Sequence, residues 1–106
     1  MNKDSTEDHF EILRKIGKKP HATQRQLAEE LGFSLGKLNY CLRELKIKGF
    51  IKIKSFKESK KKVNYFYMLT TSGMTMKKNL IINFMKMKMK EYDELKEEIT
   101  NQSSNL

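Results

Sequence analysis

The stretch SLGKLNYCLRELKIKG, residues 34–49, decides the fold. Ser34 stands where a helix needs an N-cap, and at 100° per residue Leu38, Cys41, Leu42 and Leu45 gather within about 100° of one another. The opposite side carries Gly36, Tyr40 and Arg43, flanked by Lys37 and Asn39, and Gly49 ends the run. A short helix with a narrow apolar side and a polar, basic side is suited to lie between a core and an outside partner.

Working back from Ser34, Thr23 precedes QRQLAEELG as an N-cap, with Gln26 placed to complete a capping box. Leu27, Ala28 and Leu31 form the side to be buried, and Gly32 closes this helix. Two short helices joined by a Gly-Phe turn predict a helix-turn-helix. Further upstream, Phe10, Ile12, Leu13 and Ile16 give helical spacing over residues 6–16, with Gly17 as the stop.

Working forward, Ile51 and Ile53 alternate with Lys52 and Lys54 in a strand over residues 50–56, expected to be half-buried. The polar turn KESKKK leads to a second strand over 63–69, rich in Val, Tyr and Phe. A proline-free segment from Thr71 onward predicts one helix of nearly thirty residues. Along it Met85, Met89, Tyr92, Leu95 and Ile99 form a distal apolar stripe, with Leu80, Phe84 and Met87 as a proximal one. The expected architecture is mainly α with a small β-hairpin wing, a winged helix-turn-helix followed by a long C-terminal helix. Residues 6–70 form the winged domain, 71–100 the dimerisation helix, and 101–106 a disordered tail.

Charge is concentrated on this middle region. Lys and Arg balance Asp and Glu over residues 1–33, exceed them by eight over 34–69, and by one over 70–106, within a net charge of +9. A basic stripe on one helix and one loop is the footprint of a surface that displaces counterions from a phosphate backbone. The remaining composition narrows the class. The 106 residues hold only a modest core, and a hydrophobic fraction of 38% leaves a long helix in need of a second chain to cover it. One cysteine excludes an internal disulfide framework and fits a reduced, cytoplasmic setting. The first residues show no basic-then-apolar secretory pattern, and no apolar run approaches the roughly 20 residues of a membrane span.

The residues match a known family. The helix-turn-helix, the strand-wing-strand and the LTTSG opening of the last helix resemble the MarR group of winged-helix transcriptional regulators. More narrowly, SLGKLNYCLRELKIKGFIK, FKESKKKVNYFYMLT and FMKMKMKEYDELKEEI look like the short branch associated with exopolysaccharide biosynthesis, and the resemblance covers nearly all of residues 10–99. The resemblance implies a sequence-specific DNA-binding regulator, usually dimeric. Relative to full-length members of the group, the chain is expected to lack the long N-terminal helix of their dimer interface.

The major groove of a duplex accepts an α-helix, so Lys37, Asn39, Tyr40 and Arg43 are the candidate contacts, with Gly36 allowing close backbone approach. Arg43 and Lys37 suit guanine, Asn39 adenine, and Tyr40 a phosphate or a thymine methyl. Ser34, together with Thr23 and Gln24 at the start of the preceding helix, completes the candidate surface; the last two are placed to set backbone amides against a phosphate. Lys57, Lys60, Lys61 and Lys62 on the wing are expected to follow the minor groove or flanking phosphates, adding affinity more than specificity. Ile81, Met85, Met89, Tyr92, Leu95 and Ile99 are the candidate homodimer seam, with recognition helices about one DNA turn, roughly 34 Å, apart.

Other chemistry has no support in the pattern. His9 and His21 look isolated, no metal-ligand spacing occurs, and no phosphate loop or paired acid and base suggests an enzyme. No cofactor is expected. Cys41 lies on the apolar side, where thiols are usually inert. Methionines 74, 76, 85, 87 and 89 are alternative linings for a small-molecule effector pocket. The rival reading is a winged-helix module docking an acidic protein without binding DNA; Asn39 beside Arg43, a base-reading pair, speaks against it. An RNA-binding module is weaker, for want of a surface aromatic platform.

Overall fold

The computed structural model describes residues 3–104, and side chains over 6–102 apart from those of 56, 58 and 64. The chain runs α1 (Lys3–Lys18), α2 (Gln24–Leu31), α3 (Leu35–Ile47), β1 (Ile51–Ser59), β2 (Lys62–Leu69) and α4 (Thr71–Ser104). This is the winged helix-turn-helix expected from the sequence.

Local chemistry sets most of the boundaries. The Gln26 N–H donates to Thr23 Oγ1 at 3.2 Å and the Thr23 N–H donates to Gln26 Oε1 at 2.9 Å, the reciprocal capping box at the start of α2. Gly32 ends α2 at φ +70°, a left-handed conformation that favours glycine. Ser34 Oγ accepts from the Lys37 N–H at 3.1 Å and so caps α3. Beyond α3, Gly49 takes φ +80° and the Phe50 N–H returns to the Leu45 carbonyl at 3.0 Å, turning the chain into β1.

The core forms where α1, α2, α3 and the base of the hairpin meet. Ile12, Leu13, Ile16, Leu27, Leu38 and Leu45 are its fully buried side chains, each stabilising the fold by about 1.5–3 kcal/mol relative to exposure. Ala22, Ala28, Cys41, Leu42, Ile51 and Leu69 complete it, with Met76 and Leu80 of α4 packed against its edge.

Four expectations change. Gly17 does not stop α1, which continues to Lys18, and its φ is not in the left-handed region that a terminating glycine takes. The hairpin is longer than expected: pairing runs from Ile51↔Leu69 to Ser59↔Lys62, with an irregularity between Lys57 and Ser59, because the lysine-rich turn continues the ladder instead of looping. Ile51 is buried, yet Ile53 is 41% exposed, so β1 leaves the core within one repeat. α4 extends to Ser104, so residues 101–104 are helical rather than a disordered tail, with the Thr100 hydroxyl bonded to the Lys96 carbonyl in the preceding turn. Residues 105 and 106 lie outside the described part.

One junction positions α4. Thr70 Oγ1 donates to the Gly49 carbonyl at 2.6 Å and accepts from the Gly73 N–H at 3.0 Å, while the Thr70 N–H donates to the Phe50 carbonyl at 3.0 Å. Gly73 lies so close to the Phe50 carbonyl that a Cβ would overlap it. Further along, the Phe10 and Phe84 rings meet at 5.7 Å and join α1 to α4.

Candidate nucleic-acid interface

Leu38, Cys41, Leu42 and Leu45 of α3 are all buried, which turns the side bearing Asn39, Tyr40 and Arg43 outward; Leu35 and Ile47, near its two ends, are exposed. Tyr40 is 57% exposed, and Asn39 and Arg43 are exposed with it. At Gly36, in the first turn, a side-chain Cβ would meet no neighbouring atom within 4 Å. The glycine is therefore not required by packing within the chain and leaves backbone accessible from outside.

Two of the polar groups are already held. Gln24 Nε2 donates to Asn39 Oδ1, joining the first turn of α2 to the exposed side of α3. This leaves the Asn39 amide NH2 and one carbonyl lone pair to face outward. Lys37 turns back toward α1: its ammonium sits 3.2 Å from Asp8 Oδ2 and 4.2 Å from the Phe33 ring centroid. Lys37 thus stands apart from the group formed by Asn39, Tyr40 and Arg43. Thr23 is exposed, with its hydroxyl engaged in the capping box, and the Ser34 hydroxyl is likewise engaged as a cap.

Beside α3, Asn39, Leu42, Arg43, Lys46, Ile53 and Tyr67 line a crevice of about 180 Å³ between the helix and the hairpin base. Lys46, three residues beyond Arg43, is not among the residues that the sequence singles out; its helical spacing from Arg43 is the only signal there. Burial pushes the Tyr67 phenol above its usual value, so its hydroxyl stays protonated across the physiological range. Lys57, Lys60, Lys61 and Lys62 are all exposed on the hairpin, with Lys60 and Lys61 at its turn. The Lys61 N–H is braced by Ser59 Oγ at 3.3 Å.

The isolation expected of the histidines is corrected. His9 is buried and its Nε2 lies 3.1 Å from Glu44 Oε1, so the one acid on α3 points into the fold rather than outward. The His21 ring packs edge-on against Phe66 at 4.8 Å. Among the described residues, no group of three or more His, Cys, Asp or Glu is placed to hold a metal ion. Burial first, then the Asp8 and Glu44 carboxylates, push the Cys41 thiol above its usual value, which suits packing and opposes thiolate chemistry. Of the methionines that could line an effector pocket, Met74, Met85, Met87 and Met89 are exposed; Met76 lines a cavity of about 140 Å³ with His9, Leu13 and Leu80, small beside the roughly 300–1,000 Å³ of ordinary ligand sites. No helix in the described residues is long and apolar enough to cross a membrane.

Residues 9–52 match a family model described as winged helix-turn-helix DNA-binding. No curated protein matches the chain in sequence. Among solved structures, Staphylococcus aureus MarR in complex with salicylate and kanamycin is similar with a TM-score of 0.69 at 18% identity, covering 82% of this chain and 57% of its own. Streptococcus pneumoniae FabT in complex with DNA gives 0.65 at 26% identity, covering 81% of this chain and 59% of its own. The S. aureus MepR–DNA complex gives 0.61 at 20% identity, covering 93% and 78%. The chain thus spans less than two thirds of the length of the first two. It carries a winged helix-turn-helix domain, and its structural neighbours are MarR-family regulators.

Proposed function

We propose that the chain is a sequence-specific regulator of transcription that binds double-stranded DNA, with α3 in the major groove and the β1–β2 wing along the minor groove or flanking phosphates. The observation that carries this reading is the shared outward side of α3, where Asn39, Tyr40 and Arg43 stand exposed beside a hairpin bearing Lys57, Lys60, Lys61 and Lys62. Arg43 and Asn39 supply base-edge hydrogen bonds, and the wing lysines displace counterions without reading sequence. Lys37 is assigned a lesser role, because contact with DNA must compete with Asp8. FabT and MepR, both solved with DNA, support this use of the fold.

The working form is a homodimer joined through α4, with Met85, Met89, Tyr92, Leu95 and Ile99 exposed and available for pairing. Ile81, which is half-buried, lies at the inner end of that seam. The regulated genes are assigned to exopolysaccharide biosynthesis on the resemblance of residues 34–52, 56–70 and 84–99 to that branch.

Fluorescence anisotropy with a mixed-sequence duplex at two salt concentrations tests the binding. Affinity should fall steeply with salt. No measurable binding at low salt would sink the reading and favour a module that docks an acidic protein.

A further inference from the structure

α4 runs far beyond the body that holds its first turns, within a molecule measuring 74 × 26 × 26 Å. Met85, Met89, Tyr92, Leu95 and Ile99 are 56–66% exposed and fall within an arc of about 120° at 100° per residue. Charge is segregated along the same helix. Residues 77–90 carry Lys77, Lys78, Lys86, Lys88 and Lys90 and no acid, whereas 91–98 carry Glu91, Asp93, Glu94, Glu97 and Glu98 against Lys96 alone. On one edge of the stripe Lys86 and Lys90 give way to Asp93 and Glu97, and these four share a shallow groove with Met89 and Glu94.

We propose that this face is covered by α4 of a second copy running antiparallel, in the register that sets Lys86 opposite the partner's Glu97 and Lys90 opposite the partner's Asp93. In an antiparallel pair the same edge of each stripe meets itself, so Lys86 and Lys90 each find an acid, twice over by symmetry, while Lys88 and Lys96, which share the arc, face each other across the seam and extend their ammonium groups to water. Met85 then falls beside the partner's Ile99 and Met89 beside the partner's Leu95, with Tyr92 next to the dyad. A parallel pair would instead lay the lysine half against the lysine half and acid against acid, which opposes association.

This orientation rests on the pairing through α4 proposed above, and not on DNA binding. It has a geometric consequence. With the dyad between Glu91 and Tyr92, the two ends at Thr71 stand about 62 Å apart at 1.5 Å per residue. The winged domains then occupy opposite ends of a rod, matching half-sites about two DNA turns apart rather than one.

The test uses the full chain, with light-scattering mass and oxidative cross-linking. A dimer mass is expected. Met85→Cys chains mixed with Ile99→Cys chains should form a disulfide-linked pair that neither forms alone, and the buried Cys41 should leave the unsubstituted chain unlinked. Self-linking of Met85→Cys without the mixed product, or a monomer mass, overturns the proposal. Lys86→Glu with Lys90→Glu should weaken association about tenfold, and adding Asp93→Lys and Glu97→Lys should restore it; failure of that rescue, with helical circular dichroism unchanged, overturns the register. Duplex binding is measured separately. A dimer that ignores DNA defeats the regulator reading alone, a dimer that self-links through Met85→Cys defeats the orientation alone, and a monomer that binds DNA defeats the pairing through α4 and this inference with it.

Discussion

Arg43 and Lys61 are both exposed cations, but they belong to different kinds of contact. Arg43→Ala should relax preference at one base position, with a discrimination loss of about 1–3 kcal/mol when duplex variants are ranked. Lys61→Ala should weaken all duplexes alike and lower the slope of log affinity against log salt by about one. An unchanged ranking with Arg43→Ala would show that the wrong side of α3 had been assigned. Gln24 acts one step behind: because its amide holds Asn39, Gln24→Ala should blur preference at the same base position as Asn39→Ala, and the double variant should add little. The outward placement of Asn39, Tyr40 and Arg43 was legible, since the 3.6-residue period that buries Leu38, Cys41, Leu42 and Leu45 leaves no other direction for them. The ties of Lys37 to Asp8 and of Gln24 to Asn39 were not, because they join residues 29 and 15 positions apart and depend on how the helices pack. Cys41 offers a check on the interior. Its thiol ionises less readily in the fold than in the open chain, so above the ordinary thiol range the unfolded form releases a proton that the folded form keeps. Stability should therefore fall as pH rises through that window, and alkylation at pH 8 should be much slower in native protein than in denaturant.

Among elements, the caps were the most readable features. Thr23, Gln26 and Ser34 announce the starts of α2 and α3 through hydrogen bonds made within three residues, so no tertiary knowledge is needed. Ends set by distant neighbours were less so. Gly17 resembles a stop signal but keeps a helical conformation in the last turn of α1, and the lysine-rich segment resembles a loop but pairs almost to its tip. Gly73 carries the strongest local requirement. Substituting alanine would drive its Cβ into the Phe50 carbonyl, a backbone atom without freedom to retreat. Gly73→Ala should destabilise the fold by about 1–3 kcal/mol in denaturant titration, whereas alanine at Gly36, where space is open, should leave stability nearly unchanged. Thr70→Val should act on the same junction by removing the bonds to Gly49 and Gly73, at a cost of about 1–2 kcal/mol.

Across the whole molecule, the basic excess confined to residues 34–69 and the apolar stripe beyond residue 84 were both visible before any folding was considered. How far α4 projects was not, because that depends on which of its turns the core can reach: Met76 and Leu80 pack against it, and Met85 onward does not. A helix anchored only near its start behaves as a ruler. Inserting seven helix-forming residues between Phe84 and Met85 would add two turns, lengthening each arm by about 10 Å while rotating it by only about 20°. For the antiparallel pair, the longest dimension of the dimer, as read by small-angle X-ray scattering, should then grow by roughly 20 Å. A four-residue insertion, which turns the arm by about 40°, should lengthen the dimer by only about 12 Å and leave the winged domains out of phase with the half-sites they met before.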